Sequence, residues 1–81
     1  MEQQFKNVLN YFEEIFAEGD QGETHAAIDR VLQKHPELVV RLTELFLKEE
    51  DEDRKECLAI ILEEYDIAEV VEFLKERDLY G

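Results

Sequence analysis

The side chains best placed to do chemistry are carboxylates, and they occur in a row. In LKEEDEDRKE, Leu47 to Glu56, six of ten residues are acidic, and Glu49, Glu50, Asp51, Glu52 and Asp53 are consecutive. Such a row can hold a divalent cation, attract a basic surface or cap a helix. A calcium loop needs oxygen ligands at alternating positions and Gly at the sixth. EEDEDRKECLAI has Arg54 at that place, and DQGETHAAIDRV, from Asp20, has His25. Neither reads as a calcium site. Asp51, Glu52 and Asp53 do fall where a helix would begin, and the positive end of a helix dipole favours negative charge. Part of the run therefore has a local structural reason.

Other reactive groups are few. His25 and His35 stand ten residues apart, and Cys57 is the single cysteine. No Cys-x-x-Cys or His-x-x-x-His pair offers zinc ligands. No phosphate-binding glycine loop or nucleophile elbow is present. Cys57 falls in a mostly apolar segment, where a buried thiol behaves as a small hydrophobe. The sequence thus predicts no enzyme, no metal site and no cofactor. One thiol also excludes an internal disulfide and fits a reducing compartment.

The elements that must position these groups are helices. Pro occurs once and Gly three times in 81 residues, too few for a set of hairpin tips. Phe5, Val8, Leu9, Phe12, Ile15 and Phe16 recur at steps of three and four, one face of a first helix. Gly19 should end it. Asp20 and Glu23 have capping-box spacing for a second helix, with Ala27, Ile28, Val31 and Leu32 on its face. That helix should stop near His35, because Pro36 disfavours helical geometry before it, and Pro36 suits the first position of a third helix to Lys48. Leu38, Val39, Leu42, Leu45 and Phe46 form the expected buried stripe of the third helix. Val40 and Leu47 lie off it, so this helix should occupy the middle of the fold. Asp53 and Glu56, then Asp66 and Glu69, repeat the capping spacing. They predict a fourth helix through Cys57, Leu58, Ile60, Ile61, Leu62 and Tyr65, a short break at EYDIAE, and a last helix with Ile67, Val70, Val71 and Leu74 inward. The fold class expected is all-α: a compact bundle of four to five short helices, or stacked αα-hairpins, in a single domain over residues 1–81.

VLQKHPELVVRLTELF, Val31 to Phe46, resembles the last part of a paired amphipathic helix domain, a four-helix module that grips an amphipathic peptide helix. The resemblance covers that stretch alone, and the earlier part of the chain does not follow the family's pattern. It implies no more than that a small set of helices can bind another.

Charge points to function. There are 22 Asp and Glu against 9 Lys and Arg, a formal net charge of −13. Such a field disfavours nucleic acid and anionic membrane as direct partners and attracts basic protein surfaces. The start of the chain shows no secretory signal and no apolar run approaches the roughly 20 residues of a membrane span. A cytoplasmic protein is expected. Glu14 and Glu18, Glu52 and Glu56, and Glu69, Glu72 and Glu76 recur at helix-neighbour spacings. At four residues apart they rise roughly 6 Å along the axis, comparable with successive nucleic-acid phosphates. The leading expectation is a non-catalytic module whose acidic helices occupy the basic, nucleic-acid-binding site of a partner protein, as an inhibitor that mimics nucleic acid. The residues expected to carry it are Glu13, Glu14, Glu18, Glu49, Glu50, Asp51, Glu52, Asp53, Glu69, Glu72 and Glu76. The alternative is a helical adaptor, or a homodimer, that binds through an apolar patch of Tyr11, Phe73, Leu79 and Tyr80, with acidity serving solubility.

Overall fold

A computed structural model describes residues 2–19 and 22–79. Among the described residues the chain is all-α, with five α-helices, one 3₁₀ turn and no strand. The helices are α1 (Glu2–Glu18), α2 (Gly22–Lys34), α3 (Glu37–Lys48), α4 (Glu52–Leu62) and α5 (Ala68–Glu76); the 3₁₀ turn, Glu63–Tyr65, follows α4 directly. The chain divides into two units after Val40, inside α3. No helix among the described residues is long and apolar enough to cross a membrane.

The first unit is built on α1 packed along α2. Phe5, Val8, Phe12 and Ile15 are buried on α1, at the expected helical spacing. Phe16 is 39% exposed and instead stacks on Phe12, with ring centroids 6.2 Å apart. Gly19 stops α1 as expected: at φ +95° its N–H donates to the Ile15 carbonyl at 2.8 Å, the left-handed cap that Gly adopts without a Cβ penalty. Asp20, the expected cap of α2, lies outside the described residues. Ile28 and Leu32 are buried on α2, which ends at Lys34 just before the His35–Pro36 turn. Pro36 stands in the turn and α3 begins at Glu37.

The second unit contains the remainder of α3, then α4, the 3₁₀ turn and α5. Leu42 and Phe46 of α3, Leu58, Ala59, Ile61 and Leu62 of α4, and Val70 and Leu74 of α5 are buried there. Three sequence expectations need correction. The α3 helix is apolar on most sides, yet only Leu38, Leu42 and Phe46 are buried. Val40 is 61% and Leu47 50% exposed, so a single stripe at four-residue spacing is covered and the off-stripe residues face water. The cap of α4 is Asp51, not Asp53: its Oδ1 accepts the backbone N–H of Asp53 at 2.9 Å and of Arg54 at 3.2 Å. Nor does Asp66 cap α5. It takes the left-handed conformation (φ 55°, ψ 42°) that closes the 3₁₀ turn, and Ile67 holds the α5 N-cap position without a side-chain bond. Asp and Asn tolerate that conformation better than other non-Gly residues, which lets EYDIAE turn the chain from the 3₁₀ segment into α5. At the far end of α5, Asp78 (φ 60°) repeats the device. Leu79 N–H donates to Leu74 O at 2.8 Å and Asp78 N–H to Lys75 O at 3.1 Å, the paired bonds of a Schellman cap.

Candidate functional site

The acidic run at the head of α4 is partly consumed by its own fold. Glu49 accepts Arg54 Nε at 3.2 Å and the Asp51 backbone N–H at 3.2 Å. Asp51 is the cap. Glu52 pairs with Arg77, whose other terminal nitrogen lies 3.8 Å from Glu56. The side chains of Glu50 and Asp53 carry no ion pair or hydrogen bond among the described residues. Of five consecutive carboxylates, three therefore have intramolecular work and two are open.

The carboxylates of α5 are different. Glu69, Glu72 and Glu76 are all exposed, and none is ion-paired among the described residues. They rim a recess of about 180 Å³ whose other walls are Phe46, Leu47, Phe73 and Lys55. Phe73 is half-buried there and meets Phe46 edge to face, with centroids 5.3 Å apart and planes at 89°. Such pairs contribute roughly 0.5–1.5 kcal/mol beyond area burial. Lys55 Nζ stands 5.2 Å from the Phe46 centroid and 5.6 Å from that of Phe73, and the Arg77 guanidinium lies 4.5 Å from the Phe73 centroid. Phe73 thus packs on the buried Phe46 ring and seats two cations from its place off the main stripe of α5.

Sequence reasoning placed Phe73 and the three α5 glutamates in opposed hypotheses; the structure brings them to one recess. It missed Lys55, Arg77, Phe46 and Leu47 as their neighbours. The only trace in sequence was a Lys and an Arg in otherwise acidic surroundings, and nothing there indicated the rings they approach. Glu13, Glu14 and Glu18 are exposed on α1 in the first unit. Leu79 is 45% exposed, and Tyr80 lies outside the described residues.

In the first unit Tyr11 is half-buried and lines two grooves. One, of about 620 Å³, runs past Gly22, Glu23, Thr24 and Arg30; the other, of about 340 Å³, runs past Gln4, Asn7, Arg30, Lys34 and His35. Each histidine has a carboxylate neighbour, His25 with Asp29 at 3.8 Å and His35 with Glu37 at 3.7 Å. Cys57 is half-buried rather than fully enclosed.

Compared with known proteins, the chain matches no family model, no curated protein and no solved structure.

Proposed function

We propose that this chain is a non-catalytic binding module whose acidic helices dock on the basic, nucleic-acid-binding site of a partner protein and block it. The observation that carries the reading is the state of Glu69, Glu72 and Glu76: exposed, unpaired among the described residues, and aligned on one helix. At 1.5 Å of rise per residue their successive separations along the axis are about 4.5 and 6 Å. The second unit holds fourteen acidic residues against six basic ones, a net of −8 in the total of −13. Carboxylates at these helical spacings repel one another, and a basic surface relieves that repulsion.

The test joins capture to competition. A partner retained at low salt should be lost at high salt, because screening removes the attraction. The purified chain should then displace double-stranded DNA or RNA from that partner in fluorescence anisotropy. Changing Glu69→Lys, Glu72→Lys and Glu76→Lys together should weaken binding more than about tenfold, roughly 1.4 kcal/mol, with the helical circular dichroism unchanged. No α5 cap is at risk, since Glu69 makes no capping bond. A partner that binds the reversed chain as tightly and does not compete with nucleic acid overturns the reading. The adaptor reading draws on Leu47 and Leu79, 50% and 45% exposed. It requires binding that survives salt and is lost in Leu47→Ala or Leu79→Ala.

A further inference from the structure

The 340 Å³ groove between α1 and α2 has a charge opposite to that of the chain. More than a quarter of the residues are acidic, yet none of those lining this groove is Asp or Glu. Arg30 and Lys34, one helical turn apart on α2, stand on one side of it, and neither is ion-paired among the described residues. His35 already has Glu37 at 3.7 Å, so Arg30 and Lys34 are the open charges. Across from them α1 contributes Gln4, Asn7 and Tyr11, hydrogen-bonding groups without charge. Ala27 and Val31 give the groove apolar surface. The groove, of about 340 Å³, thus combines polar and cationic groups with apolar lining.

We infer that this groove binds a carboxylate-bearing peptide segment of a partner. Charge complementarity selects the acid: a guanidinium and an ammonium line the same groove, no Asp or Glu lines it, and Arg pairs carboxylates through two parallel bonds. The rest of the lining selects a peptide over a bare anion: Ala27, Val31 and the Tyr11 ring give apolar surface that the side chains of a peptide cover and an inorganic anion does not. The site is independent of the α5 glutamates, and it makes the first unit a receptor for acidic chain while the second presents acid outward.

The probe is a capped tetraglutamate peptide titrated into the ¹⁵N-labelled full chain, with capped tetraglutamine and inorganic phosphate as comparisons. Saturable amide shifts are expected at Asn7, Tyr11, Arg30, Val31 and Lys34, and they should vanish at about 1 M NaCl, where the Debye length is about 3 Å. Arg30→Gln with Lys34→Gln should weaken the peptide at least about tenfold, with circular dichroism showing the fold retained. No saturable shift overturns the inference. So does equal binding of tetraglutamine, equal affinity in the double variant, or shifts centred on Lys48, Arg54 or Arg77. Phosphate moving the same amides with equal affinity would make this an anion site rather than a peptide site. Line broadening that grows with protein concentration before peptide is added would assign the groove to a second copy, and in both cases the partner-peptide reading falls.

Discussion

Asp51 and Asp53 are two residues apart in the same acidic run, and only one of them holds the head of α4. Replacing Asp51 with Ala removes an acceptor that serves two backbone donors, Asp53 N–H at 2.9 Å and Arg54 N–H at 3.2 Å. Loss of a helix N-cap costs about 0.5–2 kcal/mol, and loss of a negative charge at the dipole's positive end adds about 0.3–1 kcal/mol. Relief of repulsion among Glu49, Glu50, Glu52 and Asp53 offsets a few tenths of a kcal/mol. The net is a destabilisation of about 0.5–2.5 kcal/mol, or a midpoint lowered by roughly 2–20 °C in a chain of this size. Asp51→Asn keeps the acceptor and discards only the charge, so its midpoint should fall by less than half as much. Asp53→Ala loses no hydrogen bond among the described residues and should stay within about 0.5 kcal/mol of the parent. Thermal unfolding followed at 222 nm reads all three. The assignment is refuted if Asp53→Ala costs more than Asp51→Ala, because the helix would then begin at the later aspartate.

Gly19→Ala meets no atom within 4 Å, yet it must adopt φ near +95°; it should destabilise by roughly 1–2 kcal/mol from backbone strain alone, measured by urea titration with the m-value unchanged. Leu74→Ala, at a fully buried position of α5, should cost about 2–5 kcal/mol. Val40→Ala, at a position 61% exposed, should stay within about 0.5 kcal/mol of the parent in the same titration.

The sequence by itself determined what depends on near neighbours. Steps of three and four placed the buried faces of α1, α2 and α5, because helical period is a property of consecutive residues. Gly19 and Pro36 marked their helix boundaries because their backbone restrictions act within one residue. The charge of −13 required no structure at all. Even so, a local rule failed where it had several solutions: the run from Glu49 to Asp53 offers more than one cap, and the choice follows from where α4 starts. The rest was decided by contacts between residues far apart in the chain. Glu52 and Arg77 are 25 positions apart, and Phe46 and Phe73 are 27 apart. Their meeting gave Phe73 an edge-to-face partner in Phe46 and Glu52 a partner in Arg77, and so divided the acidic residues into paired and open ones. The same holds for the groove of Arg30 and Lys34, which reads as an ordinary turn of basic helix until Gln4, Asn7 and Tyr11 of α1 stand opposite. Periodicity states which face of a helix is apolar. Which side chains meet across two helices depends on their relative translation and rotation, and those are set by packing after the helices have formed.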